Sequence, residues 1–360
     1  MLYSFPMMNK IFLGLLILTP VAILAAYLSA PAIAVFLLSA AAIIPLAKFI
    51  GDAVDDLSTH SGPAIGGLLG ATFGNATELI VSLFALQAGL VEVVKASITG
   101  AILGNVLLVL GTAMLLGGRT QKAQKFNITA AKTHASMLLL ATVALVIPAL
   151  FVFTTGAKAS ASIEPLSIFV SLLMIVAYMA SLFFTLHTHK HLYSGIEAKE
   201  ATEVFAPRWG VWTCVSVLAV ATVFVAVLSE ILVHSITPVV QQFGWTELFI
   251  GIIVVAIIGN VAEHLAAVTA AVKNRMDLSL HIAIGSATQI VMFVAPVLVF
   301  VSILIGNPMN LVFGTFELIA IIFSVFVTNA VIEDGESNWF EGFQLLIAYV
   351  IMAVAFFFIR

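Results

Sequence analysis

Apolar runs, each about the length of one membrane crossing, dominate the pattern of this 360-residue chain. A bilayer core takes about 20 consecutive apolar residues per helix. Eleven such runs lie over residues 11–29, 32–50, 64–88, 96–117, 133–154, 163–187, 209–233, 246–272, 279–305, 311–332 and 341–359. None alternates apolar with polar residues, as the strands of a transmembrane barrel would. The pattern predicts an all-α membrane protein with about eleven transmembrane helices. The first run follows Lys10 and could pass for a signal peptide, but its apolar stretch continues nearly to Ala30, so it is read as a retained helix.

Composition sharpens this picture. Apolar residues make up 62% of the chain and charged residues 9%, against roughly 25% charged in soluble domains. Such a chain cannot cover a water-facing surface. With 14 Lys and Arg against 18 Asp and Glu it has no basic footprint for nucleic acid, and the lone Cys214 excludes a disulfide scaffold. Lys and Arg fall unevenly among the loops. Eleven lie in the N-terminus and the even-numbered loops (Lys10, Lys48, Arg119, Lys122, Lys125, Lys132, Lys190, Lys199, Arg208, Lys273 and Arg275) and three in the odd loops and C-terminus (Lys95, Lys158 and Arg360). Positive residues stay inside, which predicts a cytoplasmic N-terminus and an external C-terminus. The short termini suit a prokaryotic inner membrane.

Two segments resemble each other. Gly74-Asn75-Ala76-Thr77-Glu78-Leu79 lies in the third run, and Gly259-Asn260-Val261-Ala262-Glu263-His264-Leu265 in the eighth, 185 residues on. One helix later each is followed by a small-residue motif, Gly100 to Asn105 and Ile282 to Ser286. Five helices separate matching elements, so the copies face opposite ways across the membrane. Secondary transporters use this plan and place their site near the midplane. The predicted organisation is an extra N-terminal helix (1–30), a first five-helix repeat (31–187), a cytoplasmic polar linker (188–208) and a second, inverted five-helix repeat (209–360).

An ionised carboxylate at mid-membrane costs about 2.5–3.5 kcal/mol on insertion scales, so Glu78 and Glu263 at matching positions point to function. Asn75 and Asn260 precede them by three residues and share their helix faces. Gly74 and Gly259 permit a helix break, where backbone carbonyls line a cavity. Carboxylate, amide and carbonyl oxygens are the ligands of hard cations such as Ca2+; neither motif offers Cys or Met to a soft metal. Asn105, Ser286, Thr288 and Gln289 extend the oxygen set, or else hydrogen-bond between helices as polar membrane residues often do. His264 points about 100° away from Glu263 around the helix and is read as a neighbour rather than a Ca2+ ligand. Two carboxylates can be neutralised by one divalent cation or by two protons. A site that crosses only when neutralised is an antiporter, which favours cation/proton exchange.

The stretches GNATELI at 74–80 and GNVAEHLAAV at 259–268 resemble the repeat motifs of the Ca2+/H+ exchangers, the CAX branch of the Ca2+/cation antiporter superfamily, and the resemblance covers about residues 32–359. It implies eleven helices, alternate binding of Ca2+ and H+ at Glu78 and Glu263, no organic cofactor, and helices two and seven sliding over the remaining repeat helices. It also implies acidic residues at the two cavity mouths, Asp55 and Glu230. Ca2+ would be the cargo and H+ the coupling ion. The same residues leave open a related antiporter using Na+, or carrying K+ or Mn2+.

Further polar groups need placing. His187, His189 and His191 alternate, and of these only His187 and His191 converge on a helix. Glu197, Glu200 and Glu203 form an acidic helical face. Glu333, Asp334, Glu336 and Glu341 are assigned to the outer side, and Glu317 has no partner in the other repeat. His134 and His281 could join the glutamates in holding Zn2+, but no HExxH or GxSxG motif supports an enzyme. A channel would assemble its filter about an axis between chains, unlike an inverted repeat within one chain.

Overall fold

The computed structural model describes residues 4–119, 121–156, 160–189 and 207–359. Thus Lys158, Lys190, His191, Glu197, Lys199, Glu200, Glu203 and Arg360, with most of the expected linker, lie outside the described residues. The first part of the chain forms α1 (Ser4–Leu15), α2 (Leu18–Tyr27), α3 (Ala32–Ser61), α4 (Pro63–Phe73) and α5 (Ala76–Gln87). Then follow α6 (Val91–Leu103), a π-helical stretch at Gly104–Val109, α7 (Leu110–Gly117), α8 (Ile128–Thr155) and α9 (Ser160–Phe183). The second half has α10 (Val211–Phe243), α11 (Glu247–Phe249), a π stretch at Ile250–Val255, α12 (Ala256–Gly259) and α13 (Val261–Val272). It closes with α14 (Met276–Gln289), a π stretch at Ile290–Val294, α15 (Ala295–Leu304), α16 (Thr315–Val331) and α17 (Trp339–Phe358). Among the described residues eight helices are long and apolar enough to cross a membrane, or nine if the bent pair Glu247–Gly259 and Val261–Val272 is one crossing. Ala76–Gln87 and Thr315–Val331 are shorter apolar helices.

The chain divides into two compact units, each drawing on both halves of the sequence: Met1–Val94 with Pro207–Ala262, and Lys95–Ala206 with Glu263–Arg360. In the first, α3 packs along α10 and against α2 and α4, and α5 also packs on α10. Both long helices outrun their apolar cores. At 30 and 33 residues, α3 and α10 extend about 45 and 50 Å, against roughly 30 Å of hydrocarbon. The sequence places the end of the second run at residue 50, but helix continues to Ser61 because its acidic turns are neutralised in place. Asp52, buried, accepts from Lys48 one turn earlier and from Arg208 Nη2 at 3.0 Å. Asp56 accepts from the Trp209 backbone N–H at 3.2 Å. The Trp209 ring stacks on Phe49, and its carbonyl meets His60 Nε2 at 2.9 Å.

The Val91–Gly117 span lies mostly in the second unit and 83% of its most apolar 18 residues are buried, against 28% for Ile128–Thr155 and 22% for Ala161–Thr188. The former is therefore enclosed by protein and the latter two present apolar faces to lipid. The α7–α17 crossing depends on glycine: a Cβ on Gly111 would lie 2.9 Å from the Gly342 carbonyl oxygen. Small residues let membrane helices approach backbone to backbone.

One assignment is corrected here. Strand β1 (Gln124–Lys125) pairs antiparallel with β2 (Glu336–Ser337), and Lys125 Nζ lies 3.2 Å from Glu336. The loop with Glu333, Asp334 and Glu336 therefore lies on the same side as the basic loop around Arg119 and Lys122, whereas the sequence reading places the two loops on opposite sides. Six of the eleven runs separate the two loops, an even number, so the pairing agrees with the run count.

The two ion-pair sites should respond differently to neutralisation. Asp52→Asn strands Lys48 in a poorly solvated place and should cost about 3 kcal/mol, the low end for broken buried pairs because the Arg208 side chain is 39% exposed. Lys125→Gln removes a pair whose side chains are 81% and 46% exposed and should cost about 1 kcal/mol or less. Thermal melting in detergent compares them; equal shifts would contradict the assignment of Asp52 as a buried anchor.

Candidate functional site

The two Gly-Asn motifs break their helices at matching places. Helix α4 ends at Phe73 and α5 begins at Ala76; α12 ends at Gly259 and α13 begins at Val261, with a 61° bend in the second case. Asn75 has φ −105° and ψ 33°, and Asn260 φ −93° and ψ 9°, both close to the sparsely populated bridge region. Each break creates a new helix start, and Glu78 and Glu263 both occupy its third residue. First-turn N–H groups lack intrahelical acceptors, and a helix N-terminus favours negative charge. The motif thus places a carboxylate where membrane depth penalises it least.

Glu78 is half-buried as a residue, but both its carboxylate oxygens are enclosed and have no hydrogen-bond partner among the described residues. A buried structural carboxyl is normally satisfied by hydrogen bonds, so this one is suited to a ligand. Gly259 makes room for it: a Cβ there would lie 2.8 Å from Glu78 Cγ and 3.1 Å from Cδ. The glycine of the second motif therefore seats the carboxylate of the first. Asn75 and Asn260 are buried, and the Asn260 amide nitrogen donates to the Ala256 carbonyl at 2.9 Å.

In the second unit, Asn105 Nδ2 donates to Ser286 Oγ at 3.1 Å, both residues buried. They are 181 residues apart, the same offset as Gly104 and Gly285, so repeat-equivalent positions touch one another, as expected at a local two-fold axis. A π stretch accompanies each motif. Gly104–Val109 contains Asn105, and Ile290–Val294 follows Gln289. Such stretches shift the backbone ladder and are frequent at functional sites; the Val106 carbonyl accepts from Thr328 Oγ1 at 3.2 Å. Thr288 donates within its own helix, to Ile284.

Glu263 and His264 are half-buried in the first turn of α13; His264 Nε2 is enclosed without a partner among the described residues. Asp55 and Glu230 are exposed on α3 and α10. His187 and His189 rest against Phe183 and Phe184. Among the described residues no three His, Cys, Asp or Glu groups are placed to hold a metal ion by themselves. Glu317, without a partner in the sequence, accepts from Thr99 Oγ1 at 2.9 Å and from the Gly314 N–H at 2.8 Å, capping α16. Sequence reasoning missed the Gly259–Glu78 contact, the π stretches and a His134–His281 contact; the Asn-x-x-Glu spacing, which matches a helix start, was the available signal for the breaks.

Broken apolar helices with carboxylates at the breaks, in a chain with an internal repeat, define a secondary transporter rather than an enzyme. The chain belongs to the sodium/calcium exchanger protein family, whose profile matches residues 31–187 and 213–358. It is 47% identical over 352 residues to the Ca2+/H+ antiporter ChaA of Bacillus subtilis (strain 168), covering 97% of this chain and 99% of that one. It is 45% identical over 365 residues to a Ca2+/H+ antiporter of Synechocystis sp., covering 97% and 98%. Its structure resembles that of native YfkE with a TM-score of 0.85 at 43% identity, covering 97% and 100%. The H+/Ca2+ exchanger CAX shares the fold, with a TM-score of 0.71 at 16% identity over 97% of this chain and 92% of that one.

Two kinds of glycine can be told apart by substitution. Gly259→Ala should displace the Glu78 carboxylate and cut transport by about tenfold or more, since a misplaced ligand weakens a hard-cation site. Gly285→Ala, where an added Cβ meets nothing within 4 Å, should be tolerated. Transport by both variants in proteoliposomes checks this; full activity in Gly259→Ala would contradict the seating role.

Proposed function

We propose that the protein exchanges Ca2+ for H+ across the membrane by alternating access, Glu78 and Glu263 each binding Ca2+ or protons in turn. The observation that carries this reading is the Glu78 carboxylate: enclosed, without a hydrogen-bond partner among the described residues, and seated at the start of a broken helix. The Ca2+/H+ antiporters named above, at 45% and 47% identity over nearly the whole chain, support the choice of ions.

Asn75, Asn260, Asn105, Ser286 and Gln289 supply neutral oxygens to the cation. Asp55 and Glu230, exposed on the two long helices, draw cations to the two mouths. His264 is a polar neighbour of Glu263 and not a ligand. Ca2+ takes six to eight oxygens, more than two carboxylates provide, so the amides and backbone carbonyls freed at the breaks complete the shell. The loaded states are the cation-bound and the protonated forms. The empty, ionised form is expensive at membrane depth, and this difference couples the two fluxes. In this reading the chain comprises an extra helix at 1–30, inverted halves at 31–187 and 209–360, and a cytoplasmic linker at 188–208. It sits in a prokaryotic inner membrane with its N-terminus inside and its C-terminus outside.

Glu78→Gln and Glu263→Gln should each nearly abolish Ca2+ uptake driven by a pH gradient in proteoliposomes, because the amide keeps the shape and loses the titratable charge. Substantial exchange in either variant would sink the two-carboxylate mechanism.

Protons and Ca2+ should also compete. The carboxylates bind Ca2+ only when ionised, so apparent Ca2+ affinity should rise with pH on the loading side, by about tenfold per pH unit for each proton displaced. Equilibrium Ca2+ binding to purified protein from pH 5 to 9 measures it; a flat profile would separate the proton path from the cation site.

A further inference from the structure

Helices α8 and α14 of the second unit meet through two histidines. His281 Nδ1 lies 3.0 Å from His134 Nε2, with the rings edge to face at 4.8 Å between centroids. One nitrogen must donate and the other accept, so the rings share one proton between them. Both histidines border a cavity of about 10 Å³, room for about one water molecule, whose wall also includes Asp277 and Asn127. Asp277 Oδ1 accepts from the Asn127 N–H at 2.6 Å, where α8 and α14 begin. A carboxylate and an imidazole pair thus border one water-sized space. Along α14, Asp277, His281 and Gly285 follow at four-residue spacing on one face. The next residue, Ser286, is the partner of Asn105.

A polar staple between two helices is the plainer role, and another helix pair of the same unit has one. There, Thr99 on α6 donates to Glu317 on α16, which also caps its own helix. That staple needs one donor and one acceptor. The histidine pair has instead two titratable rings, an outer nitrogen on each, and a carboxylate at its cavity. Asp277 is the charged residue in the cavity wall; of the other charged side chains on neighbouring elements, Arg275 is half-buried at the N-cap of α14, Lys132, Glu164 and Lys273 are exposed, Lys125 pairs with Glu336, and Glu317 is bonded to Thr99.

We propose that His134 and His281 form a proton relay between the end of the second unit that carries Asp277 and the ion-binding residues of α14. This rests on the exchange reading above. A proton taken up on the outer nitrogen of one ring is matched by transfer of the shared proton across the 3.0 Å contact and by release of a proton from the outer nitrogen of the other. One proton enters and one leaves, and no other bond changes. The separation lies within the range of effective proton transfer.

The test uses the full chain in proteoliposomes. His134→Gln and His281→Gln retain hydrogen-bonding groups but carry no exchangeable ring proton. Each should slow pH-driven Ca2+ uptake by about tenfold or more, while equilibrium binding of radiolabelled Ca2+ stays within about twofold. His281→Ala should be slowed likewise and recover when free imidazole is added to both sides of the membrane. Wild-type rates in the Gln variants, or a loss in His281→Ala that imidazole does not restore, would overturn the relay and leave a staple. If the Gln variants melt early, the imidazole response of His281→Ala decides. Wild-type uptake in the same vesicles tests the exchange reading separately: if it ignores the pH gradient, that reading fails, whereas normal wild-type exchange with unaffected variants removes the relay alone.

Discussion

The cost of keeping a carboxylate at membrane depth is the constraint on which the rest of this structure depends. Lipid offers no solvation, and an ionised side chain at a helix centre is penalised by several kcal/mol. The protein meets that cost by breaking the helix. At both Gly-Asn motifs the chain stops and restarts, and the glutamate falls on the third residue of the new helix. First-turn N–H groups, which have no acceptor within the helix, and the positive end of the helix dipole then lie near the charge. Broken backbone at this depth is tolerated only inside protein or along a cavity, so the break confines the carboxylate to an enclosed place. Gly259 completes the seat for Glu78, since any side chain there would occupy the space of its methylene groups.

Charges outside the motifs follow a different rule: they are neutralised locally. Asp52 and Asp56 lie in the last turns of α3 and would end the helix in lipid, but Lys48, Arg208 and the Trp209 backbone satisfy them. Glu317 accepts from Thr99 and from the backbone of its own helix start. Lys95 donates to Asn310 Oδ1 and to the Val312 carbonyl. Against these satisfied groups the enclosed Glu78 oxygens stand out, and that contrast supports the proposed role more strongly than the mere presence of an acid in an apolar run.

Membership of the sodium/calcium exchanger protein family agrees with this physical picture without replacing it. The polar contact between Asn105 and Ser286 shows the internal symmetry at the level of single side chains, because residues of the same repeat position meet each other. Asn105 lies within a π-helical stretch and a second begins four residues after Ser286, each a departure from the regular ladder in an otherwise apolar helix. Such departures are stable when a neighbour donates to the carbonyl they free, as Thr328 Oγ1 does to Val106.

The sequence by itself determined the helical membrane class, the repeat, the motif glutamates and the positions where helices could break. Those features rest on local composition: apolar length specifies a helix in lipid, glycine weakens it, and a lone carboxylate in such a run is conspicuous. Tertiary structure alone decided that α3 continues through Asp52 and Asp56 to Ser61, because the cation that permits it, Arg208, is more than 150 residues away in the chain. It alone placed the Glu336 loop beside Lys125, seated Glu78 against Gly259, and joined His134 to His281. Each of these is a long-range contact between groups whose local surroundings give no sign of the partner, and periodicity along one helix carries no information about which other helix will pack against it.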